Sequence, residues 1–267
     1  MPRDRRGNRA AVAAVEPEII DCHVHNDVYL MGGHIKGGNR KDLPAMADRL
    51  GISKMCVSSF MALHYDFVEG NNNTLRLMRE LPDRVLGYCV LNPRFGDLAL
   101  NELERCIVKG GMIGAKMYPV PPKWVADEPS AYPLMERLSK LRVPILIHAD
   151  PVAPIFRLAD RFPDATYLLA HMGGGGSDGL EGMYGCIHES KRHDNIYLDS
   201  TTSNVESNII EEAVRVVGAE RVLFGTDYPC IEPYAQLAKV KAAAVAEDER
   251  ALILGGNIKR LIGRKRV

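Results

Sequence analysis

This chain of 267 residues has no excess of either charge, since 34 Lys and Arg stand against 34 Asp and Glu. Without a net positive field it has no broad surface for nucleic acid or an anionic membrane, and neither partner is expected. It also lacks any apolar run near the ~20 residues that cross a bilayer. Its six cysteines (Cys22, Cys56, Cys89, Cys106, Cys186 and Cys230) make no CxxC pair, and several lie inside apolar runs. That spacing suits buried, reduced thiols in a cytosolic protein better than a disulfide framework. The first 17 residues are rich in Arg. Their apolar part, 10–15, is too short for a secretory signal. A flexible tail over 1–17 and one domain over 18–267 are therefore expected, with a cytoplasmic location.

What is present is an apolar fraction of 46%, ample for a large core. Eight short apolar runs have strand length: 18–25, 54–60, 84–93, 111–119, 144–150, 166–173, 195–201 and 221–229. Their apolarity is continuous rather than alternating, as in parallel strands covered on both faces. Segments with helical spacing separate most of them, and the one before the eighth run begins with Ser and Asn as candidate caps. Eight strand–helix units in series predict an α/β fold, a single-domain (β/α)8 TIM barrel with right-handed crossovers. Two long stretches without strong periodicity, 26–42 and 172–194, both follow strands and are expected at the barrel mouth, where substrate pockets form.

The titratable residues fall where such a mouth needs them. The first run reads "IIDCHVH". Residues two apart on a strand share a face, so Asp21, His23 and His25 are expected to point one way, and two imidazoles can converge on one ion. His148, His171 and Asp227 each close an apolar run, on the fifth, sixth and eighth strands, and Lys116 lies near the end of the fourth. A single histidine at a strand end is ordinarily structural, but the coincidence of His23, His25, His148, His171 and Asp227 at strand ends is not readily structural. Imidazoles with a carboxylate suit Zn2+, and also Mn2+, Fe2+ or Co2+. His34, His64, His188 and His193 lie in loops or helices, where local hydrogen bonding accounts for them; His34, on the first mouth stretch, is the first exception to consider and His64 the next.

"IIDCHVH", "LIHAD", "LLAHMGG", "LFGTDYP" and the closing "ILGGNIKRLIG" together resemble the amidohydrolase superfamily, in particular its amidohydrolase-related (type 2) branch. The resemblance runs from Glu18 to the end. It implies a divalent metal, most simply one Zn2+, held by His23, His25, His148 and Asp227, with His171 as an acid/base beside it. The branch contains hydrolases, lactonases and non-oxidative decarboxylases. The bridging carboxylated lysine of binuclear relatives has its counterpart in Lys116, which is expected here as an ordinary amine serving a substrate carboxylate or a structural ion pair.

With metal-activated water, Asp227 would accept the proton and His171 would serve the leaving group. Asp21, deeper on the same face, would orient an imidazole or else form an ion pair in the barrel interior. Tyr118, Asp150, His34 and Arg40 are candidates to bind a small-molecule substrate, and Arg40 with Lys36 could meet an acidic one. Gly173 to Gly176 offer either an anion cradle or a tight turn, and Trp124 either a pocket wall or packing. The first expectation is a hydrolase of a lactone or amide in a small carboxylated molecule. The alternative is a decarboxylase of an aromatic or unsaturated acid, and a catalytically idle binding barrel comes third. A homodimer is common among relatives.

Overall fold

The computed structural model describes residues 17–27, 37–119, 124–148, 150–174, 179–203 and 207–266. Its eight strands are β1 (Ile19–Asn26), β2 (Ile52–Ser59), β3 (Val85–Val90), β4 (Gly114–Met117), β5 (Pro144–Ile147), β6 (Thr166–Leu169), β7 (Ile196–Asp199) and β8 (Val222–Leu223). They pair in parallel, in sequence order from β1 to β8. The eighth meets the first through backbone bonds from Cys22 N to Phe224 O (2.9 Å), His25 N to Tyr228 O (2.8 Å) and Asp227 N to His23 O (2.7 Å). The sheet thus comes round on itself as a nearly closed (β/α)8 barrel. β8 is far shorter than the run 221–229 suggests, because after Leu223 the chain turns in to follow β1.

The helices are α1 (Asp42–Leu50), α2 (Phe60–His64), α3 (Phe67–Glu80), α4 (Asp97–Leu103), α5 (Tyr132–Leu141), α6 (Ala153–Arg161), α7 (Gly179–Ser190), α8 (Ile209–Val217), α9 (Pro233–Ala242), α10 (Glu247–Ala251) and α11 (Asn257–Ile262). Their ends follow from local chemistry. Asp66 caps α3 by accepting from the N–H groups of Val68 and Glu69 at 3.0 and 2.9 Å. α1 stops at Gly51, whose φ of 70° suits a residue without a Cβ. Two expectations are corrected. The stretch 172–194 is not all loop, since α7 occupies much of it; its glycines and polar residues mask the helical period. At α8 the N-cap is Asn208, but its side chain makes no capping bond.

Side chains divide into two apolar layers. Between strands and helices lies the large core around residues such as Leu43, Met46, Ile107, Met135 and Ile155. Inside the barrel, Ile20, Cys22, Cys56, Tyr88, Leu146, Leu168, Tyr197 and Leu223 fill the lumen. Five of the cysteines are buried and all six are free thiols. This plug forms a floor, and the polar residues stand above it at the C-terminal ends of the strands. Among the described residues no helix is long and apolar enough to cross a membrane.

Candidate metal centre and active site

His23 and His25 end β1, and Asp227 follows β8 where the two strands are bonded. All three are buried, and each offers a ligand atom within 4.8 Å of the others. The His23 Nε2 and His25 Nε2 atoms are 3.2 Å apart. Asp227 Oδ1 is 3.4 Å from the first and 3.0 Å from the second.

The far sides of both rings are already engaged. His23 Nδ1 lies 2.7 Å from Asp199 Oδ2, and the carboxylate can only accept, so Nδ1 carries the hydrogen. His25 Nδ1 lies 3.0 Å from Ser58 Oγ and 3.3 Å from the Ser58 carbonyl, and donates there. Two Nε2 lone pairs and a carboxylate oxygen therefore face one another, and among the described residues only one of them, His23 Nε2, is reached by a positive group, the Lys116 ammonium at 2.9 Å. A proton is a poor occupant, because burial pushes both imidazoles below the ordinary histidine range. Burial alone would raise the Asp227 carboxyl, yet its contacts with His23 and His25 outweigh that and hold it below the usual carboxylate range. Two neutral imidazoles and a carboxylate are a fitting donor set for a divalent cation.

Asp199 is the residue that sequence reasoning missed. It ends β7, fully buried, and is itself held by the Thr201 N–H (3.0 Å) and hydroxyl (2.8 Å). A carboxylate behind a ligating imidazole fixes its tautomer and aim. The signal was available: "IYLD" is one more apolar strand closed by a titratable residue.

Asp21 does something other than expected. Its carboxylate accepts from the Thr226 hydroxyl (2.6 Å), the Thr226 N–H (3.0 Å) and the His23 N–H (3.1 Å), not from an imidazole. It ties the turn carrying Asp227 to β1. The strict alternation behind the expectation fails because β1 has one extra residue between the pairs Asp21–Met55 and Val24–Val57. Burial pushes the Asp21 carboxyl up to about 8, against the pull of its Thr226 bonds.

Gly225 completes this seam. A Cβ there would stand 2.4 Å from Asp199 Oδ1, 2.6 Å from Thr201 Oγ1 and 3.0 Å from His23 Cβ. Only glycine lets the chain pass so close to the Asp199–His23 pair. The next turn then places Asp227 at φ 55°, in the left-handed region, and His171 after β6 has φ 58°. Non-glycine residues held there by their surroundings concentrate at functional sites.

Lys116, on β4, is 1% exposed, and its Nζ lies 2.9 Å from His23 Nε2. Burial draws its pKa down to about 8, with Asp227 and Asp199 opposing. Across the mouth, His171 Nδ1 donates to the Thr201 carbonyl (3.1 Å), which leaves its Nε2 to accept from His148 Nδ1 at 3.0 Å. The rings form a closed circuit. His25 stacks on Phe60 (4.1 Å), Phe60 meets His64 (6.2 Å), and His64 meets Tyr118 (5.6 Å). Tyr118 meets His148 (4.9 Å), which meets His171 (4.6 Å), then His23 (5.3 Å), then His25 again (5.1 Å).

A family model described as Amidohydrolase matches residues 20–264. The chain belongs to the amidohydrolase family. Among characterised amidohydrolase relatives is the gamma-resorcylate decarboxylase of Rhizobium sp. (strain MTP-10005), 24% identical over 235 residues, covering 67% of this chain and 70% of the relative. The structure resembles that of 2,6-dihydroxybenzoate decarboxylase complexed with 2,6-dihydroxybenzoate, with a TM-score of 0.70, 19% identity and 92% and 98% of the two chains covered. It also resembles the dihydroxybenzoic acid decarboxylase of Polaromonas sp. JS666 with bound manganese and the inhibitor 2-nitroresorcinol, with a TM-score of 0.70, 20% identity and coverages of 94% and 98%.

Not every expected residue joins this amidohydrolase centre. His148 lies against His171 and outside the group formed by His23, His25 and Asp227. Arg40 is solvent-exposed just before α1, 3.7 Å from Glu80, and is not part of the group formed by His23, His25 and Asp227. Asp150 acts on the site through charge: with burial and Asp227 it helps to raise the Tyr118 phenol. Gly173 and Gly174 make room for α7, since added Cβ atoms would strike Cys186 and Met183, so packing accounts for them without an anion. Trp124 is buried and also lines a pocket. His34, Lys36, Gly175 and Gly176 lie outside the described residues. His188 pairs with Glu212 at 2.9 Å and His193 with Asp160 at 3.2 Å, away from the mouth.

Proposed function

We propose that this amidohydrolase is a metal-dependent, non-oxidative decarboxylase of an aromatic or unsaturated carboxylic acid. The observation that carries the reading is the meeting of His23 Nε2, His25 Nε2 and Asp227 Oδ1 beside the buried ammonium of Lys116. The decarboxylase relatives support it over the lactone or amide hydrolysis that the residues alone suggested first.

His23, His25 and Asp227 would hold the cation, with Mn2+, the metal of the Polaromonas structure, a better first choice than Zn2+. When bound, it supplies positive charge for substrate oxygens at the mouth. Lys116 would pair with the substrate carboxylate in a site where little water competes. Loss of CO2 returns the electron pair of the broken C–C bond to the substrate carbon, and a proton must arrive there. The His148–His171 pair holds a proton on its shared hydrogen bond. An extra proton taken up from solvent makes the pair an imidazole–imidazolium, which can pass that proton to the substrate carbon and return to neutral.

The test uses protein loaded with Mn2+ and a panel of hydroxybenzoates and lactones in deuterated water. Release of CO2 with one deuterium placed at the former carboxyl position is expected. Ring opening of a lactone without CO2 from any acid would overturn the proposal. Lys116→Met should raise KM about 10- to 100-fold, the worth of one charge-assisted hydrogen bond. An unchanged KM would remove Lys116 from carboxylate binding.

A further inference from the structure

Beside the metal-site residues, over the ends of β2, β3 and β4, lies a pocket of about 200 Å3. It shares His64 and Tyr118 with the circuit of rings, so it borders the circuit that leads back to the metal-site histidines. Tyr118 is two residues beyond Lys116, the ammonium available to a carboxylate. The buried Trp124 lines it, as does the stacked pair Phe67–Phe95, with ring centroids 4.7 Å apart and planes 21° apart. Among the described residues that line it, none carries a carboxylate, an ammonium or a guanidinium. Its polar groups are the imidazole of His64, the amide of Asn92 and tyrosine hydroxyls.

Resting on the decarboxylase reading, we propose that this pocket takes the far end of the substrate, and that the substrate is a monocarboxylate whose far end is flat and uncharged. One carboxylate has Lys116 to meet. A second, carried into the pocket at the opposite end of the ring, would lose its hydration with no cation to replace it. Flat apolar walls with a few polar groups favour an unsaturated ring bearing hydroxyl or similar substituents. His64 and Asn92 then set specificity and touch no reacting atom.

The experiment measures binding by calorimetry to the Mn2+-loaded protein, and CO2 release in parallel. The probes are 2,6-dihydroxybenzoate and the same ring with a second carboxylate para to the first. The monoacid should bind at least about tenfold more tightly, the usual scale of a charge left unpaired in a partly buried apolar site. His64→Arg should move the ratio toward the diacid by about tenfold or more, and Asn92→Asp, of equal size, should move it further toward the monoacid. Equal binding of the two acids, or a ratio that neither variant moves, would overturn the pocket assignment. CO2 from neither acid, with the binding preference and its response to both variants intact, would sink the decarboxylase reading while upholding the pocket.

Discussion

The two sides of the barrel mouth are built on opposite plans. At the β7–β8–β1 seam every functional group is buried and held from behind. Asp199 holds His23, Ser58 holds His25, and Asp21 holds the Thr226 turn. Over β2 to β4 the walls are aromatic, with Tyr65 67% and Phe95 50% exposed at the rim. The seam has one arrangement available to it, because each polar group that moved would leave a buried partner unsatisfied. The aromatic side can be altered without orphaning a buried charge. Reaction chemistry belongs on the first plan and substrate choice on the second.

Substitutions can break or sharpen that contrast. The largest effect is expected from His23→Ala or Asp227→Ala, which should take bound metal from about one ion per chain to almost none. Metal analysis after purification without chelator reads it, and full retention would dissolve the proposed centre. Next comes Gly225→Ala. Its methyl group must displace Asp199 or Thr201, so a loss of roughly 1–3 kcal/mol is expected together with weaker metal binding. Thermal melts with and without Mn2+ would show it, and wild-type behaviour in both would mean that the seam is looser than its distances imply.

Asp199→Asn keeps the shape but removes the charge behind His23. Mn2+ affinity should fall about 10- to 100-fold with little change in melting temperature of the metal-free protein. An unaltered affinity would reduce Asp199 to packing. The smallest effect is expected on the other side, behind the aromatic wall. Asp66→Ala removes the cap of α3 and should cost about 1 kcal/mol of stability while leaving metal affinity alone. If metal affinity fell with it, the two sides would not be independent.

Much of this molecule is legible along the chain. Continuous apolar runs alternating with helical spacing call for a parallel sheet, since each run must be covered on both faces and each crossover is right-handed, and eight such units in series match a closed barrel. The same runs end in His23, His25, His148, His171 and Asp227, so the mouth and its titratable residues follow from order alone. Distances within the mouth do not. An extra residue in β1 turns Asp21 from the imidazoles toward Thr226, and pairing with His171 keeps His148 out of the tight group. Asp199 gains its meaning only beside His23, 176 residues away in sequence. Periodicity assigns a residue to a face and to an end of its strand. Which neighbours meet there depends on bulges, turns and the closure of β8 on β1, and those are set by packing across the whole barrel.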